Sequence, residues 1–453
     1  MTGFNYRDMA NKLWDKGYDV DAQIERFTVG KDRELDVVLA PYDVLGTMAH
    51  ITMLQKVGLL EKAELDSLLP ELKKIYQSAV DGTFVIEEGV EDVHSQVELM
   101  LTRKLGPVGK KVHAGRSRND QVLVDLKLYS RDQIKIIASK VKRLFDVLQT
   151  RSEECKDVLM PGYTHLQVAM PSSFGLWFGA YAESLTSDMQ MLKAAWEVAN
   201  RNPLGTAAGY GSSAPLDREL TTRLLGFGGL DYNSVYAQMG RGKTERIIAM
   251  ALSCIAETVG RLAYDCCLFN SQNFAFVTLP QQMTTGSSIM PHKKNPDVFE
   301  LLRAHCNRIS GIPLDIRLIT GNLPSGYFRD MQLIKELFIP MFDEMSDCLD
   351  IACFAIENIS VKEGLMDDPR YALAFSVEKV NALAASGVPF RDAYKLMAGE
   401  IADGTFSYDG TLNHTHEGSI GNLCNDQIAA RMQKLTAQFN FDQVDRAVES
   451  LLG

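Results

Sequence analysis

Residues 248–269 read IAMALSCIAETVGRLAYDCCLF, and this stretch decides the fold. Its apolar residues recur at alternating steps of four and three, namely Ile248, Leu252, Ile255, Val259, Leu262, Cys266 and Phe269. A heptad seam of this kind packs long helices side by side. Long helices with apolar stripes on more than one side favour an elongated bundle that associates into oligomers.

Similar patterns on both sides of the seam predict further long helices, over residues 121–155, 173–199, 296–312 and 332–359. Nearer the N-terminus, shorter patterns predict helices at residues 49–60 and 63–80, with Pro70 expected to break the second. Towards the C-terminus, helices are predicted at residues 371–386, 389–403 and 427–452.

This organisation predicts an all-α protein with three parts. They are an N-terminal helical domain (residues 1–112), a central long-helix bundle that forms the oligomer core (residues 113–362) and a small C-terminal helical domain (residues 363–453). A chain of 453 residues is long enough for two or three domains.

Composition narrows the function classes. An apolar fraction of 46% and a charged fraction of 23% are typical of a soluble globular protein. A net charge of −11 argues against a nucleic-acid partner, and no apolar run suggests a membrane span. The eight cysteines show no CxxC spacing, which indicates free thiols in a reducing compartment, and no signal peptide is recognisable. We therefore expect a cytoplasmic protein.

The segment from Thr284 to Glu300 is rich in hydroxyl, amide and ammonium groups. Gly286 and two prolines exclude a continuous helix, so we expect a loop. It is either a solvated connector or an anion-binding loop. A serine such as Ser287 acts as a base only if its alkoxide is stabilised, which backbone amides at a helix start and the ammonium of Lys293 would do.

Two other polar segments stand at the ends of long helices. The segment from His113 to Gln121 precedes a long helix, so it predicts either an anion site or only a helix cap at Asn119 or Asp120. The segment from Gly162 to Gln167 contains one histidine between prolines, so it is either a structural histidine or part of a polar pocket.

Two weaker patterns are set aside. The glycine-rich segment 209–214 has no preceding strand pattern, so it is not interpreted as a dinucleotide site. The pair His414 and His416 lacks a third ligand, so it predicts a polar turn rather than a metal site. These two segments therefore predict neither a coenzyme site nor a metal site, and the cofactor expectation is none.

Specific motifs carry a family resemblance. The string GSSIMPHKKNP at residues 286–296 resembles the signature loop of the fumarase/aspartase superfamily. Tyr327, Gln332 and Lys335 repeat the spacing of one member, the argininosuccinate lyase family, and the segments 113–121, 162–167 and 387–394 are similar to that family's sequences as well. The resemblance spans the whole chain.

The resemblance implies an all-α fold with a central five-helix bundle and a homotetramer. Each active site would combine motifs from three subunits and cleave the small molecule argininosuccinate to L-arginine and fumarate. Carried over by position, Ser287 would be the base, His165 its acid–base partner, and Lys293 would stabilise the dianion. Substrate binding would fall to the remaining matched positions, Ser117, Arg118, Asn119, Thr164, Asn295, Tyr327, Gln332 and Lys335.

The chain departs from the family pattern at two places. Asp32 stands where ungapped matching places a substrate-binding serine, and the run from Gln238 to Lys243 replaces a Ser-Asp-Arg-Asp run. Two alternatives therefore stay open. One is a lyase for another N-substituted succinate such as adenylosuccinate, and the other is a catalytically silent, crystallin-like relative. Whether Ser287 or His165 takes the first proton is also open.

Overall fold

Fifteen α-helices dominate the part of the chain that the structure, a computed structural model, describes, which is residues 22–410 and 412–453. In chain order they are α1 (Ala22–Val29), α2 (Asp32–Lys56), α3 (Lys62–Val80), α4 (Val93–Leu105), α5 (Arg118–Glu154), α6 (Phe174–Ala199), α7 (Arg218–Leu224), α8 (Ser234–Met239), α9 (Lys243–Asn270), α10 (Asp297–Ile319), α11 (Lys335–Asn358), α12 (Ser376–Ala385), α13 (Phe390–Ala402), α14 (Asn425–Thr436) and α15 (Phe441–Leu452). The all-α prediction is confirmed.

Strands are few and short. They form two antiparallel pairs, β1 (Leu159–Thr164) with β2 (Gln167–Ser173), and β3 (Val277–Thr278) with β4 (Ser360–Val361). Several 3₁₀ segments complete the description, including Gly106–His113, Arg329–Ile334 and Pro369–Phe375. The hairpin of β1 and β2 was not expected from the sequence.

Five long helices, α5, α6, α9, α10 and α11, pack together as the central bundle. Helix α9 lies against α6, α10 and α11, and α5 lies against α6 and α11. All seven residues of the predicted seam on α9 are buried in one continuous apolar core with residues of the other four helices. The heptad interpretation of residues 248–269 is therefore confirmed.

The N-terminal part differs from the prediction at both proposed helices. Helix α2 begins at Asp32 and is 25 residues long, whereas the sequence predicted a start near Ala49. Pro70 lies inside α3 and does not end it. Buried leucines on both sides of the proline, Leu68 and Leu72, pack in the same apolar cluster. Tertiary packing of the apolar stripe therefore maintains the helix despite the lost N–H donor.

The C-terminal prediction of one helix over residues 427–452 is wrong. The chain turns at Asn440, which has a left-handed backbone with φ of 54°, and this turn separates α14 from α15. Phe439 and Phe441 on either side pack against Trp196 of α6, with ring centroids 6.2 and 4.9 Å away. Asparagine tolerates this left-handed conformation better than most residues do. The aromatic contacts on either side of Asn440 then fix the helix break at this residue.

Two helices, Asp32–Lys56 and Lys243–Asn270, are long and apolar enough to pass a simple test for membrane spans. Most of the apolar window of each is buried within the protein. Core helices of globular proteins have the same composition, so the test gives only weak evidence for a span.

Helices α5 and α6 approach closely at Gly175, which leads to a stability prediction. A Cβ atom at this position would lie 2.5 Å from the Lys156 Cα and 2.6 Å from the Ser152 carbonyl oxygen. Backbone atoms cannot yield as side chains do, so we expect Gly175→Ala to lower the free energy of unfolding by about 1–3 kcal/mol. Gly399→Ala is the matched control, because α13 has open space there and alanine favours the helix. Thermal unfolding of both variants tests this, and equal melting temperatures would contradict it.

Candidate active site

The hairpin of β1 and β2 carries the predicted histidine at its tip. His165 and Leu166 form the two-residue turn, and both have positive φ, 54° and 56°. Thr164 and His165 are exposed. Next to the tip, the ring of Tyr163 packs edge-on against Phe274 at 5.5 Å and anchors this end of the hairpin. Non-glycine residues with this backbone conformation are uncommon and concentrate at functional sites.

The predicted loop between Thr284 and Glu300 is a loop whose two ends are joined. Thr285 and Asn295 form an isolated antiparallel bridge, in which the Asn295 N–H donates to the Thr285 carbonyl at 2.9 Å. Lys293 lies on the solvent-exposed part between these ends. Beyond the bridge, the Thr285 hydroxyl hydrogen-bonds the Asp297 carboxylate at the start of α10. The bridge fixes where the loop begins and ends.

Ser287 accepts hydrogen bonds within this loop. The backbone N–H of Met290 donates to its Oγ at 3.1 Å, and that of Ile289 donates at 3.3 Å. Two donors on one oxygen stabilise negative charge there, which makes the hydroxyl easier to deprotonate. The sequence predicted amides from a helix start, but these amides belong to the loop itself.

A polar cavity of about 220 Å³ gathers five of the predicted substrate-binding residues, namely Arg118, Asn119, Tyr327, Gln332 and Lys335. They come from the start of α5 and from the segment that leads into α11. Sequence positions more than 200 residues apart therefore meet in one place. The cavity lining also includes carboxylates, so the cavity presents negative as well as positive charge. The acidic residues are Asp32, Asp36, Glu91 and Asp92.

Ser117 caps the helix that brings Arg118 and Asn119 to the cavity. Its Oγ accepts from the Asn119 N–H at 3.3 Å, and the Asp120 carboxylate accepts from the Ser117 N–H at 2.8 Å. The second Asp120 oxygen accepts from the N–H groups of Gly205 and Ala207, both at 2.9 Å. The cap is therefore a reciprocal pair that leaves Asn119 facing the cavity.

Lys335 is buried between two carboxylates of α2. Its Nζ lies 2.7 Å from Asp32 and 2.5 Å from Asp36. Burial alone would lower the pKa of Lys335, but the two carboxylates outweigh it and raise that pKa. Burial raises the pKa of Asp32 to about 6. Sequence reasoning flagged Asp32 only as a departure and missed Asp36, although their spacing of four places both on one face of α2.

Two further predicted residues of the cavity, Gln332 and Arg118, form hydrogen bonds or ion pairs with other parts of the protein. The side-chain amide of Gln332 donates to the carbonyls of Thr28 at 2.9 Å and Val29 at 3.2 Å, so it ties the end of α1 to the cavity rim. Arg118 pairs with Glu91 at 3.1 Å and also with Asp92. Arg241, in the divergent run from Gln238 to Lys243, is buried and lines the cavity. The sequence interpretation named the run but did not single out Arg241 as a residue of this cavity.

Neither of two cavities in the described chain brings the three groups of predicted residues together. His165 lines a second cavity with Trp177 and Phe274, separate from the cavity of Asn119 and Lys335. Ser287, Lys293 and Asn295 line neither of these two cavities. Neither of these cavities in the described chain therefore combines the predicted catalytic residues.

One buried cluster has the composition of a metal site. Asp43, His94 and Asp125 each offer a ligand atom, and these atoms lie within 4.8 Å of one another. However, the His94 Nδ1 lies 2.6 Å from the Asp43 carboxylate, which is a hydrogen-bond distance. The nitrogen that would face a metal ion therefore carries a proton, so the cluster is better described as a hydrogen-bonded ion pair.

Comparisons with known proteins match this architecture. A family model described as Lyase matches residues 15–311. The chain is 63% identical to an argininosuccinate lyase of Phocaeicola vulgatus over 445 aligned residues. The alignment covers 98% of this chain and 100% of that protein. An argininosuccinate lyase of Thermotoga neapolitana is 37% identical over 86% of this chain and 98% of its own length.

Solved structures of lower identity share the fold. An EDDS lyase in complex with formate matches with a TM-score of 0.77 and 21% identity, over 96% of this chain and 95% of the other. The class II fumarase of Schistosoma mansoni matches with a TM-score of 0.65 and 17% identity, over 91% and 95%. At these identities the likeness concerns the fold alone.

Proposed function

The chain belongs to the argininosuccinate lyase family, and we propose that it cleaves argininosuccinate to L-arginine and fumarate. The observation that carries this proposal is the 63% identity to an argininosuccinate lyase along nearly the whole of both chains. The cavity charges agree with such a substrate, because argininosuccinate carries carboxylates, an ammonium group and a guanidinium group. Cations such as Arg118 and Lys335 and carboxylates such as Asp36 line the same cavity.

In the proposed reaction Ser287 removes the Cβ proton of the succinyl part. The two electrons of that C–H bond first enter a doubly charged, enolate-like species, which Lys293 stabilises from the same loop. These electrons then form the carbon–carbon double bond of fumarate as the carbon–nitrogen bond breaks. His165 acts as the acid–base partner and assists departure of the guanidine nitrogen. The two loop N–H groups that donate to the Ser287 oxygen support its role as the base.

Substrate positioning is assigned to the side chains that the family motifs share. Arg118, Asn119 and Tyr327 line the main cavity directly. Gln332 and Lys335 line it as well, although their polar atoms already have protein partners. The remaining assigned residues, Ser117, Thr164 and Asn295, lie at the helix cap, the hairpin tip and the base of the loop.

A homotetramer with active sites shared between subunits is part of the proposal. Neither His165 nor Ser287 lines the main cavity of its own chain, and this supports the proposal because a neighbouring subunit would supply those groups. Exposed apolar side chains on the bundle offer a surface for association, on α9 at Met250 and Tyr264 and on α10 at Leu301, Leu314 and Leu318. Bundles with such faces associate readily.

We further propose a cytoplasmic location. All eight cysteines are free thiols, and five of them are buried. Free buried thiols are typical of proteins from reducing compartments.

A direct assay tests the function. We expect the purified protein to release fumarate from argininosuccinate, followed by its ultraviolet absorbance, and to release none from adenylosuccinate. Fumarate from adenylosuccinate alone would replace the proposal with the second lyase assignment. The absence of product from both substrates would favour the catalytically silent alternative. The same preparation should yield arginine and fumarate in equal amounts, because one bond cleavage makes both.

A further inference from the structure

His94 lies in the first turn of α4, beneath the main cavity, and no role has been assigned to it above. Its ring is buried, and its Nδ1 donates to the Asp43 carboxylate at 2.6 Å. The Asp125 carboxylate lies 3.6 Å from the same nitrogen. Both carboxylates are themselves buried, and both oxygens of Asp125 lack hydrogen-bond partners. The imidazole ring is therefore held in one orientation by groups on α2 and α5.

The surroundings of His94 favour its charged form. Burial alone would lower the pKa of the imidazole, but Asp43, Asp92 and Asp125 outweigh it and raise that pKa to about 9. Arg116 is the buried cation of this cluster, and it compensates Asp43 and Asp125. His94 is consequently an imidazolium at neutral pH, with an N–H on each ring nitrogen.

One edge of the ring faces the cavity. His94 is among the cavity-lining residues, whereas Asp43 and Asp125 are not. Nδ1 points to Asp43, and Nε2 is not among the fully buried polar atoms without a partner, so we infer that the Nε2 edge is the one turned to the cavity. Within residues 22–410 and 412–453 the only hydrogen-bond partner of this ring is Asp43, so Nε2 has none. A charged donor, fixed in place and unpaired, thus faces the space that Arg118 and Asn119 also line.

We propose that His94 binds a carboxylate of the substrate through its Nε2–H, with Asp43 as the positioning residue behind it. This inference rests on the proposed function for the choice of ligand, since argininosuccinate offers succinyl carboxylates and an α-carboxylate. A preoriented cationic donor forms a strong hydrogen bond to a carboxylate and needs no reorganisation when the ligand arrives. His94 is then a substrate-binding residue in addition to those matched by the family motifs.

The test compares two substitutions of His94, each of which places an amide group at the position of one ring nitrogen. In His94→Asn the side-chain amide can replace Nδ1 at Asp43 but leaves nothing at the Nε2 position. In His94→Gln the amide reaches the Nε2 position without the charge. His414→Gln is the control, because His414 also pairs with a carboxylate, Glu378 at 2.9 Å, yet lies outside the cavity. The probes are fumarate and L-arginine, titrated separately into each full-length protein by calorimetry.

We expect His94→Asn to weaken binding of one probe by about 10- to 100-fold, the range of a charge-assisted hydrogen bond. We also expect His94→Gln to recover part of that loss and His414→Gln to bind as the wild type does. A loss confined to fumarate assigns His94 to a succinyl carboxylate, and a loss confined to arginine assigns it to the α-carboxylate. Unchanged affinity for both probes in a folded His94→Asn protein would overturn the proposal. Equal losses for both probes without recovery in His94→Gln would overturn it too, because they indicate a purely structural role.

A pH series adds a readout that a structural role would not change. Above pH 9 the imidazolium loses a proton, and because Asp43 holds the Nδ1 proton, Nε2 becomes an acceptor that repels a carboxylate. The affinity advantage of the wild type over His94→Asn should therefore disappear as pH rises through about 9. Asp92, Lys335 and Arg116 are present in both proteins, so the ratio isolates His94. Wild-type protein that cleaves argininosuccinate while this ratio stays constant would refute the inference and leave the proposed function intact.

Discussion

Ser287→Ala is expected to reduce kcat for argininosuccinate by about 1,000-fold or more, in keeping with the loss of a positioned base. The substitution removes the oxygen to which the loop amides of Ile289 and Met290 both donate. Ser287 lies in a loop and is not part of the described apolar core of the bundle, so the protein should remain folded and associated. Steady-state kinetics with the purified variant gives the measurement.

Ser288→Ala provides the matched control. Ser288 is the next residue, is exposed, and has no described hydrogen bond to loop amides. It should therefore keep a rate within a few-fold of the wild type. If Ser287→Ala retained near-normal turnover, the base would have to be another group, and His165 would be the first to examine.

Mixing two inactive variants is expected to restore activity if each site is assembled from several subunits. Ser287→Ala and His165→Gln should each be nearly inactive alone. In a randomly mixed oligomer, a site that takes its serine from one variant and its histidine from the other is complete. About a quarter of the sites would then work, since each of the two choices succeeds half of the time. The measurement is specific activity after joint unfolding and refolding of equal amounts.

The control for mixing is a pair of variants altered in one loop. Ser287→Ala with Lys293→Ala should regain no activity, because both residues come from the same segment of one chain. Light scattering on each mixture supplies the mass. A species at 50.3 kDa, the mass of one chain, or recovery absent from the serine–histidine pair, would contradict the shared site.

The sequence predicted the bundle well because its helices bury one face over many turns. In residues 248–269 seven apolar positions recur at alternating steps of four and three, and every one of them is buried. The break at Asn440 was not predictable from periodicity, because aromatic contacts with Trp196 determine it. The prediction of a helix break at Pro70 was wrong because tertiary packing maintains α3 across a residue that locally disfavours a helix.

The candidate site was predictable in its motifs and not in its charges. Arg118, Asn119 and Tyr327 were placed by resemblance, and the structure brings them to one cavity. The pairing of Lys335 with Asp36 joins positions 299 residues apart, and no local pattern indicates such a contact. The hairpin turn at His165 was likewise hidden, because neither of its two residues is the glycine or asparagine that usually marks a turn of this kind.

The ion pairs of Lys335 with Asp32 and Asp36 affect which ligands the cavity selects. Lys335 already has two carboxylate partners within the cavity, so an arriving carboxylate meets no unpaired ammonium at that residue. Binding is then an exchange of partners, in which the ligand must replace contacts that the protein makes with itself. A ligand that brings only negative charge gains little from such an exchange. One that also brings a cation to the released carboxylates completes the exchange, so Asp32 and Asp36 favour a ligand of mixed charge at Lys335.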